Sequence, residues 1–302
     1  MKSYVFPPLL KANDKAIIIS PSGNTDPSFI DGAASVLKSW GLDVIESTYA
    51  RGVYGRFCGT IEQRLCDLQQ AMDDPSIQLI FCSRGGYGLV HLLDKLNFTE
   101  IRKYPKWLVG YSDITALHLA FMQHGIFSLH APMARHLTED TEDVASLYLK
   151  DFLFTGIQEY SVEAHPLNKA GLSEGRLCGG NLAVLTGLIG TPYAEIPDNS
   201  LLFIEDIGEG AYKIDRMMWQ LQLSGILKRL SGLIVGQFTD CNEDSQMYAP
   251  IYDSIKNMVD RYNYPVAFDF PVGHVKNNYP LMYSGKFVLE VNSREVLLKR
   301  KD

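Results

Sequence analysis

The sequence contains few cysteines, and their spacing does not suggest disulfide pairs or a zinc site. Five cysteines occur among 302 residues, and no two have the C-x-x-C spacing: Cys58, Cys66, Cys82, Cys178 and Cys241. A disulfide framework or a structural zinc site would require paired or clustered cysteines. We therefore expect reduced thiols and a cytoplasmic location.

The chain also lacks an excess of positive charge and a long apolar run. Lysine and arginine number 28 against 35 aspartate and glutamate residues, which gives a net charge of -7. Nucleic-acid binding requires a basic face, so nucleic acid is not an expected partner. No run approaches the roughly 18 to 20 apolar residues of a membrane span, and the N-terminal stretch has no signal-peptide core.

The first half of the chain alternates short β-branched runs with amphipathic segments. The runs KAIIIS (15–20) and IQLIFCS (77–83) are typical of buried strands, and LVHLLDKL (89–96) is typical of a helix. TIEQRLCDLQQAMDDP (60–75) has four apolar residues at helical spacing: Ile61, Leu65, Leu68 and Met72. This alternation predicts an α/β domain in which helices cover a parallel sheet.

The length and the 46% hydrophobic content indicate about two domains. The pattern changes between about residues 138 and 175, so we place the boundary near 158. This gives an N-terminal α/β domain of residues 1–158 and a second domain of residues 159–302. The second domain is less regular, and its last segment, FVLEVNSREVLLK (287–299), predicts a β-hairpin.

A serine lies where the apolar run KWLVGYS (106–112) changes to a helical pattern. One interpretation makes Ser112 a helix N-cap, because serine oxygens accept backbone N–H bonds. The other makes it a nucleophile on a sharp strand-to-helix turn. The G-x-S-x-G form of that turn is not met, since Ile114 replaces the second glycine. The local residues alone favour the cap.

A glycine cluster, CSRGGYG (82–88), follows another predicted strand. It matches neither G-x-G-x-x-G nor the Walker A loop, so it does not indicate a nucleotide site. Adjacent glycines allow a turn whose N–H groups bind an anion, and an ordinary strand-to-helix turn is an equal alternative. Arg84 within it is either a clamp for a carboxylate or an ordinary surface arginine.

Acidic residues and a histidine occupy strand ends in the second half. Glu205 closes the apolar run LLFIE (201–205), where a carboxylate needs a basic partner, and Asp206 and Glu209 compete for that role. His274 follows a Pro-Val-Gly turn and is either a general base or a solvated loop histidine.

Four other histidines recur every six residues: His118, His124, His130 and His136. On a helix this spacing turns each ring by roughly 240°, whereas metal ligands on one helix face are three or four residues apart. We therefore expect no metal site, and no motif indicates a cofactor.

Six sequence blocks, in order and at similar spacing, resemble the L,D-carboxypeptidase family of serine peptidases, the muramoyltetrapeptide carboxypeptidases. The blocks are GRFCGTIEQRLCDLQQAMDDPSIQLIFCSRGGYG, LVGYSDITALH, HAPM, CGGNLAVLTGLIGTPY, LLFIEDIGEGAYKIDRMMWQL and FPVGHVKNN. The chain has Ala131 where the family usually has the glycine of His-Gly-Pro-Met.

The resemblance implies a catalytic triad of Ser112 as nucleophile, Glu205 as acid and His274 as base. It also implies a flavodoxin-like N-terminal domain that carries the serine, a C-terminal swivelling β/β/α domain that carries the other two, and a homodimer. We expect the backbone N–H groups of Gly86 and Asp113 to form the oxyanion hole. Arg84 is our candidate for binding the substrate.

The family further implies hydrolysis of the L,D-bond that releases the terminal D-alanine of a muropeptide tetrapeptide, in cytoplasmic cell-wall recycling. One alternative is a microcin C-type immunity peptidase, which cleaves peptidyl-nucleotide antibiotics. Those relatives tend to place an aromatic residue, often tryptophan, where adenine stacks, whereas Trp40, Trp107 and Trp219 fall in predicted regular elements. A second alternative is a small-ligand binding α/β protein without catalysis.

Overall fold

The computed structural model of the protein describes residues 4–301. The strands, in chain order, are β1 (Lys15–Ile19), β2 (Asp43–Glu46), β3 (Ile77–Cys82), β4 (Trp107–Gly110), β5 (Ser128–His130), β6 (Glu159–Glu163), β7 (Gly171–Asn181), β8 (Ser200–Ile207), β9 (Gly232–Thr239), β10 (Val266–Ala267), β11 (Leu281–Tyr283), β12 (Lys286–Val291) and β13 (Glu295–Lys301). The α-helices are α1 (Pro27–Ser39), α2 (Ile61–Asp73), α3 (Thr99–Lys103), α4 (Thr115–Gln123), α5 (Ala134–Glu139), α6 (Val144–Thr155), α7 (Leu182–Gly187), α8 (Ala211–Leu223) and α9 (Ile251–Val259).

The chain divides into two compact units. The first comprises the described residues up to Gly156 together with Lys276–Ser284, and the second comprises Ile157–Val275 and the described residues from Gly285 onward. The predicted domain boundary near residue 158 stays a prediction. None of the helices within residues 4–301 combines the length and the apolarity that a membrane span needs.

The sheet of the first unit has the strand order β11-β5-β4-β3-β1-β2. Strands β2, β1, β3, β4 and β5 pair in parallel, in the order typical of flavodoxin-like sheets, and β11 pairs antiparallel with β5. The predicted parallel α/β sheet is therefore confirmed. Because β4, β3 and β1 are neighbours, the loops at their carboxyl ends lie at one edge of the sheet, where α/β proteins bind ligands.

Helix α2 begins as its sequence predicts. The Thr60 hydroxyl accepts from the N–H of Gln63, and the Gln63 side chain accepts from the N–H of Thr60, which forms a capping box. Its buried face differs from the predicted one. Leu68 and Met72 are buried, but Ile61 and Leu65 are only partly buried. The buried face is rotated from the predicted one, and it includes the charged side chain of Arg64.

The helix predicted for residues 89–96 is wrong. The segment instead forms two short 3-10 turns, Leu89–His91 and Leu93–Lys95, in which three leucines are buried: Leu89, Leu92 and Leu93. Spacing of three residues suits a 3-10 turn as well as an α-helix, so the apolar pattern could not separate the two. Gly88, with φ of 127°, sets the direction in which the first turn begins.

The sheet of the second unit has the order β10-β9-β8-β7-β12-β13-β6. Strands β10 to β7 pair in parallel, and β7, β12, β13 and β6 pair antiparallel. The predicted C-terminal hairpin is confirmed as β12 and β13, whose turn is closed by the bond from Asn292 N to Glu295 O. Strand β8 is central and is buried from Ser200 through Asp206.

Candidate active site

Ser112 lies at the joint between β4 and α4 and has a φ of 66°. It begins a short 3-10 turn, Ser112–Ile114, that leads into α4. An N-cap residue has an extended backbone and bonds a helix N–H through its side chain, whereas no side-chain cap is made at the start of either helix. The N-cap interpretation is therefore wrong. A left-handed φ at serine is backbone strain of the kind that clusters at functional sites.

The glycine turn after β3 packs directly against this serine. A Cβ at Gly85 would lie 2.7 Å from Ser112 Cβ, 3.0 Å from its Oγ and 3.1 Å from Asp113 N. The shortest of these distances is too small for two non-bonded atoms, so only glycine fits without a shift. Gly86 has a φ of 111°, which glycine adopts without a steric penalty. The turn is also held by a 2.9 Å bond from Gly23 N to Gly85 O.

The side chain of Asp113 faces the protein interior. It is 2% exposed, and its Oδ2 accepts hydrogen bonds from Ser22 Oγ at 2.5 Å and from Leu89 N at 3.0 Å. Ser22 follows β1, and Leu89 follows the glycine turn after β3. One carboxylate thus joins the loops that follow three neighbouring strands.

The backbone just before Ser112 is fixed by a buried histidine. His118 Nε2 lies 2.8 Å from Gly110 O, and its Nδ1 lies 2.8 Å from Ser128 Oγ. A carbonyl only accepts, so Nε2 carries the proton and Nδ1 accepts from the hydroxyl. Burial lowers the pKa of His118 to about 4 despite the opposing effect of the Gly110 bond, so this ring is neutral near pH 7.

In the second unit, Glu205 and the partly buried His274 form a hydrogen-bonded pair. Glu205 is fully buried near the end of β8, and its Oε2 lies 2.8 Å from His274 Nδ1. Burial by itself would lower the pKa of His274, but the charge of Glu205, its hydrogen bond and the charge of Asp206 together raise it above the ordinary value. The expectation that a carboxylate at this strand end has a basic partner is confirmed.

Gly273 leaves space beside the Glu205 side chain. Gly273 has a φ of 130°, and a Cβ there would lie 3.0 Å from Glu205 Cβ and 3.1 Å from its Oε2. The residue before His274 therefore takes a conformation that other residues rarely adopt, in a space where an added Cβ would crowd the carboxylate.

The two competing acids have other partners. Asp206 Oδ1 accepts from Asn181 Nδ2 at 2.8 Å, and Glu209 pairs with Lys213 at 3.0 Å. Burial raises the pKa of Asp206 to about 6, and the nearby charge of Glu205 adds to that increase. Of the three acids that the sequence left open, Glu205 is the one that contacts the imidazole.

The histidines spaced by six residues have unrelated surroundings. The ring of His124 stacks on Phe98 with centroids 3.9 Å apart, and His130 Nε2 lies 3.2 Å from Asn278 Oδ1. His118 contacts the backbone of β4, as described above. They share no common centre of the kind that a metal site would require.

His136 lies in a cluster with two aspartates that spacing did not predict. Ligand-type atoms of His136, Asp140 and Asp143 lie within 4.8 Å of one another. The His136 ring is 3.0 Å from a carboxylate oxygen of Asp143, and the Lys276 ammonium is 2.5 Å from Asp140. The two acids of the cluster thus already have partners, Lys276 for Asp140 and His136 for Asp143.

Arg84 is exposed at the end of β3, and its Nη1 donates a 2.6 Å bond to Asn24 O. This bond ties the loop after β3 to the loop after β1. A role for Arg84 in substrate binding stays a prediction.

Comparison with known families identifies both halves of the chain. Residues 17–131 match the LD-carboxypeptidase N-terminal domain, and residues 174–289 match the LD-carboxypeptidase C-terminal domain. The chain belongs to the LD-carboxypeptidase family. The first match contains Ser112 and the glycine turn, and the second contains Glu205 and His274. The predicted family resemblance is confirmed.

Individual relatives agree along nearly the whole chain. The murein tetrapeptide carboxypeptidase of Pseudomonas aeruginosa is 32% identical over 292 residues, which cover 92% of this chain and 94% of that protein. The crystal structure of muramoyltetrapeptide carboxypeptidase from Oxalobacter formigenes is 29% identical, with a TM-score of 0.87 over 95% of this chain and 99% of that one. The predicted two-domain α/β fold is confirmed.

A further solved structure has the same fold at lower identity. The microcin C7 self immunity protein in complex with aspartyl sulfamoyl adenosine is 20% identical, with a TM-score of 0.85 over 100% of this chain and 99% of that one. At this identity the likeness shows the fold alone.

Sequence reasoning missed two buried polar groups near Asp113, the residue after the candidate nucleophile: Ser22 and Arg64. Ser22 is fully buried and Arg64 is 1% exposed. A signal for each was present. Ser22 follows the strand β1, which neighbours β3, and Arg64 is a charged residue one turn before Leu68 on the buried face of α2.

Proposed function

We propose that this member of the LD-carboxypeptidase family is a serine carboxypeptidase that releases the terminal D-alanine from muropeptide tetrapeptides by hydrolysing an L,D-peptide bond. The observation that carries the proposal is the 2.8 Å hydrogen bond between His274 Nδ1 and the buried Glu205. A carboxylate that holds the Nδ1 proton leaves Nε2 as the basic nitrogen, which is what a serine nucleophile requires.

In the first half of the reaction, His274 removes the proton from Ser112 and the serine oxygen attacks the scissile carbonyl. Glu205 holds the imidazole tautomer and stabilises the imidazolium that forms. The raised pKa of His274 makes it a stronger proton acceptor than a solvated histidine. His274 then donates the proton to the departing amine of D-alanine, and water hydrolyses the acyl-enzyme by the same steps.

The negative charge that develops on the carbonyl oxygen needs donors. We assign this role to the backbone N–H groups of Gly86 and Asp113, which belong to turns that touch through Gly85. Removing one such donor typically costs about 3 kcal/mol of transition-state stabilisation. The C-terminal carboxylate of the substrate needs a cation or N–H groups, and Arg84 is the candidate for that contact.

Location and assembly are part of the same proposal. The cysteines are free thiols, three of them buried, which agrees with a reducing cytoplasm: Cys58, Cys82 and Cys178. The homodimer rests on the family resemblance. The net charge of -7 is unfavourable for binding nucleic acid, and the substrate is a small peptide.

The direct test is D-alanine release from a tetrapeptide muropeptide by the wild type and by Ser112→Ala. We expect Ser112→Ala to lower kcat by at least about a thousandfold with its fold intact, because the nucleophile is lost. Ser146→Ala removes a buried serine hydroxyl of the first unit that donates to Asp140 O, and it is the control. Equal rates for Ser112→Ala and wild type would refute the nucleophile.

A peptidyl or aminoacyl nucleotide is the competing substrate class that the family resemblance leaves open. Adenine stacking in that class involves an aromatic residue, often tryptophan. Of the three tryptophans, Trp107 is fully buried in β4, Trp219 is 43% exposed on α8, and Trp40 directly follows α1 rather than lying inside it. Parallel assays with a tetrapeptide muropeptide and an aminoacyl sulfamoyl adenosine separate the two. Faster cleavage of the nucleotide substrate would replace the muropeptide assignment.

A non-catalytic binding protein is tested separately by a fluorophosphonate, which modifies activated serines. Stoichiometric labelling of Ser112 excludes that alternative, and absence of labelling supports it.

A further inference from the structure

A buried polar network joins the loops that follow β1, β3 and β4, and Ser112 lies in the last of these. Asp113 Oδ2 accepts from the Ser22 hydroxyl at 2.5 Å and from Leu89 N at 3.0 Å, and both Ser22 and Asp113 are at most 2% exposed. A carboxylate that accepts two bonds in a buried site is a strong tether, since charge-assisted bonds are roughly twice as strong as neutral ones.

Arg64 brings a positive charge to the same network from α2. Its Nη1 donates to Pro21 O at 2.9 Å and to Gly88 O at 3.0 Å, and its guanidinium lies 5.0 Å from the centre of the Phe57 ring. Burial lowers the pKa of Arg64, and the negative charge of Asp113 opposes that decrease. The arginine therefore spans the loop after β1 and the far end of the glycine turn.

The network lies directly beneath the turn that carries the proposed oxyanion donor. A Cβ on Gly86 would lie 3.4 Å from Gly23 Cα and 3.9 Å from Ser22 Oγ, so the loop after β1 packs against this turn. The same turn lies close to the serine, since a Cβ on Gly85 would be 2.7 Å from Ser112 Cβ and 3.1 Å from Asp113 N. Movement of the loop after β1 would therefore move the turn relative to the serine.

We propose that Ser22 and Arg64 are positioning residues that hold the glycine turn 85–88 against Ser112. The proposal rests on the proposed function, because it explains how the N–H groups of Gly86 and Asp113 stay aimed at one developing oxyanion. Neither side chain needs to touch the substrate. The carboxylate of Asp113 bonds to Ser22 directly and acts on Arg64 only through its negative charge, while its backbone N–H is the proposed oxyanion donor.

This role predicts a loss that is specific to the transition state. Oxyanion donors bind the charged intermediate more strongly than the neutral carbonyl, so misalignment lowers kcat and leaves ground-state binding nearly unchanged. A misplacement of about 1 Å can cost on the order of a hundredfold in rate.

The experiment compares Ser22→Ala, Arg64→Met and Arg64→Lys with Ser200→Ala in the D-alanine release assay. Ser200 is equally buried, and its hydroxyl donates one 2.7 Å bond to Pro197 O in the second unit, so it controls for loss of a buried serine bond. We expect Ser22→Ala and Arg64→Met to lower kcat about 10- to 100-fold with KM within about twofold. Arg64→Lys keeps the charge but not the planar fork and should recover part of the loss.

A second measurement does not depend on the peptide substrate. A fluorophosphonate forms a bond from Ser112 Oγ to phosphorus with loss of fluoride, and its phosphoryl oxygen uses the same donors. We expect Ser22→Ala to be labelled at least about tenfold more slowly than the wild type, and Ser200→Ala at the wild-type rate. If the wild type releases no D-alanine and Ser22→Ala is still labelled more slowly than the wild type, the positioning role is supported and only the proposed substrate is overturned.

Two results overturn the positioning role. In the first, Ser22→Ala and Arg64→Met have the same kcat and the same labelling rate as Ser200→Ala. Such equal rates would mark a purely structural contact, whether or not the melting temperatures of the two variants fall. The other is a wild type that is neither labelled at Ser112 nor active, in which case the proposed function fails together with the positioning role. If Arg64→Met does not fold, Ser22→Ala alone decides.

Discussion

The two units carry different kinds of features for the proposed mechanism. In the first unit the decisive features belong to the backbone, namely the φ of 66° at Ser112 and the close approach of Gly85. In the second they belong to charge, namely the buried Glu205 beside His274 and the nearby Asp206. Changes in the first should therefore alter the rate at every pH, and changes in the second should also alter the pH dependence.

The strongest test of this difference is Glu205→Gln. The amide cannot stabilise an imidazolium and can hold the wrong tautomer of His274, so we expect kcat to fall about 10³- to 10⁴-fold. Loss of the carboxylate also removes the main influence that raises the pKa of His274, so the acidic limb of the residual activity should move to lower pH. The measurement is the pH profile of kcat/KM.

Glu209→Gln is the matched control, because Glu209 lies four residues further along and pairs with Lys213 instead. We expect its kcat/KM to stay within about twofold of the wild type, because the partner of this partly buried acid is a lysine and not the imidazole. Equal losses for both variants would mean that Glu205 has no special role in the second unit.

Gly85→Ala tests the backbone part of the site. The added Cβ would lie 2.7 Å from Ser112 Cβ, so the turn or the serine must shift. We expect kcat to fall about a hundredfold, since a shift of about 1 Å in reacting groups has that effect, while the pH profile keeps its shape. The measurement is kcat/KM across the pH range in which the wild type is active.

Gly187→Ala provides the comparison, because a Cβ there meets nothing within 4 Å and its φ is outside the left-handed region. It should match the wild type in rate. A Gly85→Ala enzyme whose acidic limb moved would show that the two units do not divide the work as described.

Much of the fold was predictable from the sequence because its signals are local. The β-branched runs and amphipathic segments of the first unit indicated a parallel sheet, and the turn residues near Asn292 indicated a hairpin. The segment from Leu89 was predicted wrongly because three-residue spacing suits 3-10 and α-helical turns alike. The buried face of α2 was predicted wrongly because the pattern of apolar residues gives no weight to charged residues. Arg64 is nevertheless buried on that face.

The site was less predictable, because its geometry depends on contacts between distant segments. Glu205 was one of three acids that spacing could not separate, and only the 2.8 Å contact with His274 distinguishes it. The bond from Ser22 to Asp113 joins residues 91 positions apart. The positive φ of Ser112 depends on the packing around it, and the residues themselves favoured an ordinary cap.

Asp206→Asn should have the smallest effect. It removes the charge and also one acceptor, because the amide nitrogen cannot accept the bond that Asp206 accepts from either Asn181 Nδ2 or Ala183 N. The negative charge of Asp206 favours the protonated form of His274 and so helps to raise the pKa of that ring. Removing the charge lowers this pKa, and the neutral, catalytically competent imidazole then persists to lower pH. We expect the acidic limb of kcat/KM to move to lower pH, with the rate above pH 8 reduced less than about threefold.

Asp198→Asn separates this local effect from a change in total charge. Asp198 is exposed and pairs with Arg229 in the same unit, so its loss alters the net charge equally but does not touch the histidine. Its acidic limb should coincide with that of the wild type, because exposed charges are screened within about 10 Å at 0.1 M salt. An equal shift in both variants would indicate a general charge effect, and a shift of Asp206→Asn to higher pH would contradict the assignment of His274 as the group that must lose its proton.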